Sequence, residues 1–150
     1  MSRVKTRLKI ALKLQAIERA RRSAAEMELG QARTAAERSG TEETAATRAL
    51  GEAERAWAGQ LAGRTIDVEL NKSFAGHLLA SERELIERQA ENREAGRLVD
   101  QKRSSWTKLE ASVRSGDMLL GRWRRDLHRR AAERSDQELA DRTSWNWFRR

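Results

Sequence analysis

Not one of the 150 residues is proline. Proline locks φ and removes a backbone donor, so it is the commonest helix breaker. A chain without it lacks the strongest stop signal. Its place is taken by Ala, Glu, Arg and Leu, which are good helix formers. Charged residues reach 36% and the mean hydropathy is −0.86. The apolar share is 38%, below the usual ~45–50%, and much of it is Ala. So little large apolar surface makes a compact globule hard to build. Long helices meeting along a narrow seam are what such a chain can form.

The seam is visible as a ladder of alternating four- and three-residue steps. Its rungs are Val4, Leu8, Ala11, Gln15, Glu18, Arg22, Ala25, Leu29, Ala32, Ala36, Ser39, Glu43, Ala46, Leu50, Ala53, Trp57 and Gln60. A mean step of 3.5 is the heptad signature of a coiled coil. Between Leu8 and Leu14 the apolar residues also alternate with period two, as a strand would, but the flanking Ala, Glu, Gln and Arg favour helix. A second ladder climbs through Phe74, Leu78, Ser81, Leu85, Arg88, Asn92, Ala95, Val99, Lys102, Trp106, Leu109, Val113, Gly116, Leu120, Trp123 and Leu127.

Between the ladders, Gly59 and Gly63 supply a helix C-terminus. Thr65 can cap the next helix, and Asp67 and Glu69 suit its positive end. The expected fold is therefore all-α, a long antiparallel two-helix coiled-coil hairpin in a single domain over 1–150. The first helix is expected at about 2–61, the turn at 62–65, the second helix at 66–143 and a tail at 144–150. If Trp57 meets Phe74, paired residue numbers add to 131 along the seam. The layers are then Ala53 with Leu78, Ala46 with Leu85, Ala32 with Val99, Ala25 with Trp106, Ala11 with Leu120, Leu8 with Trp123 and Val4 with Leu127. Small faces large, as close packing requires. Glu43 falls opposite Arg88 and Ser39 opposite Asn92. A slip of one heptad stays open. So does a four-helix bundle with extra turns at Ser39-Gly40 and Ser115-Gly116, although both ladders keep phase across those sites.

Charge is unevenly placed. Residues 1–22 hold eight basic side chains and one acid, residues 122–150 hold nine and five, and residues 23–121 hold fourteen and seventeen. In a hairpin the two basic segments meet. A polyanionic or acidic partner is expected there, centred on Arg3, Lys5, Arg7, Arg124, Arg125 and Arg129. The ladder fails after Leu127. The ending, with Trp145, Trp147 and Phe148, is either a frayed tail or a docking peptide, because aromatics without a seam partner are costly to leave wet. Trp57, Phe74 and Leu78 at the tip either close the seam or serve an interface.

Several classes are set aside. There is no Cys, so no disulfide and no thiolate metal site. That suits a reducing compartment. His77 and His128 have no ligand partner at helical spacing. No apolar run approaches the ~18–20 residues of a membrane span. The first 17 residues contain no acid and could pass for a mitochondrial presequence, but the ladder continues through them. No phosphate loop or local catalytic signature is present. Neither enzymatic activity, a cofactor nor a small-molecule substrate is expected.

The hairpin resembles the FliJ/YscO stalk proteins of flagellar and virulence type III secretion systems. The start, Arg7-Leu8-Lys9-Ile10-Ala11-Leu12-Lys13-Leu14, is similar to that family's N-terminal helix. Leu120, Trp123, Leu127 and Arg130 resemble its late Leu/Trp/Leu/Arg spacing, and Glu138-Leu139-Ala140-Asp141-Arg142 resembles its closing stretch. Gln137 departs from the Asp often found there, and the Trp-rich ending has no counterpart. The resemblance implies a cytoplasmic stalk in the pore of the hexameric export ATPase, at the inner face of the membrane. The tip would face the membrane-embedded export gate, and some such proteins also escort export chaperones. Two other classes remain: a basic nucleic-acid-binding protein, from Trp123 among Arg122, Arg124 and Arg125, and a generic coiled-coil scaffold or chaperone.

Overall fold

A computed structural model describes the backbone of residues 2–63, 65 and 67–148, and the side chains of residues 6–63, 65 and 67–145. Two helices account for nearly all of it. Helix α1 is Ser2–Leu61, 60 residues, and helix α2 is Val68–Phe148, 81 residues. They pair as an antiparallel hairpin. As the α1 partner advances from Glu28 to Glu42, its α2 partner recedes from Lys102 to Arg88. Both helices run unbroken through Gly40 and Gly116, so the turns of a four-helix bundle are absent.

The chain divides into a terminal unit, 1–23 with 107–150, and a central unit, 24–106. In the central unit Leu29, Ala32, Ala46, Ala53 and Ser81 are buried. Leu78, Leu85, Val99 and Trp106 are half-buried beside them. Polar contacts fix the register. Lys102 Nζ lies 2.6 Å from Glu28 and Arg88 lies 3.1 Å from Glu42; each pair of residue numbers adds to 130. In the terminal unit Arg22 meets Glu110 at 3.0 Å, numbers that add to 132, and Gln15 lies against Gly116, numbers that add to 131. A heptad slip would move these totals by seven, so the expected register holds.

The ladder accounts for burial closely. Each rung from Leu8 to Gln60 is buried or half-buried, and so is each from Phe74 to Leu127 except Trp123. The polar layers differ from expectation. Arg88 pairs with Glu42, Glu91 and Glu84 rather than Glu43. Its guanidinium pKa is raised above the ordinary value, first by the hydrogen bond to Glu91. Glu43 instead accepts a hydrogen bond from Asn92 at 2.5 Å, and the Ser39 hydroxyl is left buried without a partner. A long guanidinium reaches past its own layer, whereas the short amide takes the nearest carboxylate.

The helix ends are also corrected. The cap of α2 is Asp67, not Thr65. Its Oδ1 accepts the backbone N–H of Glu69 at 3.0 Å and of Leu70 at 3.2 Å, so the helix begins at Val68. Helix α1 closes with a bond from the Gly63 N–H to the Gln60 carbonyl at 3.3 Å. No described glycine has positive φ, so α1 does not end on a left-handed glycine cap. At the far end α2 continues to Phe148 rather than ending at 143. No glycine follows Gly121. The hydroxyls of Thr143 and Ser144 bond back to the Ala140 carbonyl at 2.8 and 2.6 Å, so both are satisfied within the helix.

Candidate functional site

The terminal unit concentrates the charge. It holds nineteen Lys and Arg against eight Asp and Glu, a net of +11, while the central unit holds twelve against fifteen, a net of −3. The helical heptad gives the terminal unit two flanks on either side of its seam.

On one flank Arg19 donates to Asp117 Oδ1 at 2.6 Å. Gln15, buried in the seam, donates through one amide nitrogen to the Val113 carbonyl at 2.7 Å and to Asp117 Oδ1 at 2.9 Å. The Asp117 carboxyl is held below its ordinary pKa, chiefly by the Arg19 hydrogen bond and further by Gln15 and the charge of Arg124. Gly116 is what permits this, because a Cβ there would overlap the Gln15 amide. A groove of about 520 Å³ runs along this flank, lined by Leu12, Gln15, Ala16, Arg19, Asp117, Leu120, Gly121 and Arg124.

A groove of about 270 Å³ opens beside Arg7, Leu8, Trp123, Asp126, Leu127 and Arg130. It brings Leu8 and Trp123 together in the expected layer, but Trp123 stays 48% exposed. The ladder ends at Leu127, so the indole is left about half uncovered. Every described residue from His128 to Trp145 is exposed.

The expected contact residues fall out as follows. Arg7, Arg124, Arg125 and Arg129 are exposed. Arg129 is engaged with Asp126 at 3.5 Å and Glu133 at 3.9 Å, whereas Arg125 folds back near Gly121. The side chains of Arg3, Lys5, Trp147 and Phe148 lie outside the described residues. Trp145 is helical and 64% exposed. In the central unit Trp57, Phe74 and Leu78 are half-buried, and the Trp57 indole donates to Asn71 Oδ1 at 2.7 Å. Among the described residues no group of three His, Asp or Glu side chains is placed to hold a metal ion, and no helix is long and apolar enough to cross a membrane.

The ladder did not single out four exposed aliphatic side chains of the terminal unit: Ile10 at 54%, Leu14 at 58%, Ile17 at 49% and Leu119 at 55%. For Ile10 and Leu14 the sequence signal was the surplus of apolar residues between Leu8 and Leu14. The seam uses only Leu8 and Ala11 of these, so the others have to face elsewhere. Comparison with family models, with curated proteins and with solved structures finds no match to this chain.

Proposed function

We propose that the chain is a non-enzymatic stalk of a bacterial type III protein export ATPase, flagellar or virulence, working without a cofactor at the cytoplasmic face of the inner membrane. The observation that carries this is the +11 of the unit that holds both chain ends, presented on a two-helix hairpin that resembles the FliJ/YscO stalks. The exposed guanidiniums of Arg7, Arg124, Arg125 and Arg129 meet acidic surface on the hexameric ring. The segment around Trp57, Phe74 and Leu78 faces the export gate, and the helical end at Trp145 is a docking tail.

Reversing Arg124, Arg125 and Arg129 together to Glu tests the ring contact. Single exposed pairs are worth only ~0–1 kcal/mol, so the triple change is needed to replace attraction with repulsion. All three side chains are off the seam, so the melting temperature should hold while stimulation of a purified export ATPase falls. A folded triple variant that stimulates normally would remove this end from the ring. A second reading, nucleic-acid binding, is favoured by Trp123 standing half-exposed among Arg122, Arg124 and Arg125. Retention of single-stranded DNA that collapses steeply with salt, together with an inert ATPase, would select it.

A further inference from the structure

One flank of the terminal unit is apolar, exposed and rimmed by cations. Ile10, Leu14 and Ile17 follow each other at four and three residues, so they share one face of α1. That face adjoins the seam rungs but is not covered by α2, and each of the three is about half exposed. Leu14 lies two turns beyond Arg7, and Leu119 two turns before Asp126. Arg7 and Asp126 line the same groove, which puts Leu14 and Leu119 on one flank. Arg19 and Asp117 occupy the other. On the rim, Arg7, Lys9 and Lys13 form no ion pair among the described residues, and Asp126, beside Arg7 in that groove, is engaged with Arg129. No acid occurs in the first 17 positions.

We propose that this flank docks on an anionic lipid bilayer, lying in its interface. Charge complementarity selects an anionic occupant. The form of the apolar surface selects lipid over an acidic protein. Protein anchors insert into packed pockets, but these four side chains project outward, and neither groove described above takes a wall from them. A fluid acyl boundary needs only a stripe of aliphatic groups at shallow depth, with Lys and Arg stems reaching back to the phosphates. This inference does not rest on the stalk reading, although both use Arg7, and its test involves the protein and lipid alone.

The test is cosedimentation of the whole chain with vesicles of phosphatidylcholine, or of phosphatidylcholine with phosphatidylglycerol. Binding is expected only to the anionic vesicles. The double substitution Leu14→Gln and Ile17→Gln keeps every charge and good helix formers, and should weaken binding about tenfold or more, since each lost buried methylene counts against partitioning. Lys9→Gln with Lys13→Gln should also weaken it, and added salt should do the same. Circular dichroism checks that both variants remain folded with the parent's melting temperature. The proposal is overturned if the parent ignores anionic vesicles, or if the folded Leu14/Ile17 variant binds as well as the parent, which would mean charge alone is at work. Capture of an acidic protein through this flank without vesicle binding would equally overturn it. None of these outcomes bears on ATPase stimulation.

Discussion

At the layer of Gln15 and Gly116 an amide, not an aliphatic group, fills the seam. Helical Gly ordinarily costs up to ~1 kcal/mol relative to Ala. At Gly96 an added Cβ would meet nothing within 4 Å, so Gly96→Ala should raise stability by about 0.5–1 kcal/mol. Gly116→Ala should do the opposite. The new methyl displaces the Gln15 amide from the Val113 carbonyl and Asp117, and a buried polar group left unpaired costs about 1–3 kcal/mol. Urea titration of Gly116→Ala, Gln15→Ala and the double variant gives the cycle. The double should cost clearly less than the two single losses combined, because once Gln15 is gone the methyl no longer strikes it; simple additivity would show that the two residues do not touch. Among nine glycines, Gly116 drew notice only as a rung and as a candidate turn with Ser115. It stood on a seam rung, which was legible, but its partner's hydrogen bonds depend on geometry that no spacing rule carries.

The two helices were legible because heptad phase and the absence of breakers agree along their whole lengths. Their ends were less so. Thr65 and Asp67 both have side chains that can cap, and only the backbone's path chooses Asp67. The late part of α2 is more instructive. Its ladder fails at Leu127, yet the helix runs on to Phe148 with every described residue from His128 to Trp145 exposed. Loss of a seam predicts loss of packing, not loss of helix, as long as Gly and Pro stay away. An unpacked helix of this length is marginal in water. Ending the chain after Arg130 should therefore leave the melting temperature within a few degrees of the parent's, measured by circular dichroism, while lowering the helical signal. A large drop would show that this stretch packs on something within the protein.

Across the whole molecule the quantity that matters is area. The chain exposes 12395 Å², whereas a compact monomer of its 17.2 kDa exposes about 7,800 Å² and the unfolded chain about 25,000 Å². Folding thus removes about half of the unfolded surface instead of about two-thirds. The urea m-value scales with that change and should come out about three-quarters of the value for a compact domain of equal length; parity would show that copies associate or that further surface is covered. Fold class, the register to within one heptad and the basic unit could be read from ladders and charge. The apolar flank at Ile10, Leu14 and Ile17 was legible only as a surplus of apolar residues off the seam, because period alone does not say which of them a second helix leaves uncovered. The rule that partners add to 131 has a consequence for heredity. A lineage carrying this hairpin could exchange bulk across any layer, Ala32 growing as Val99 shrinks, and keep the fold. Mutations would then be inherited in matched pairs, and a list of such pairs, read with no coordinates at all, would return the number 131.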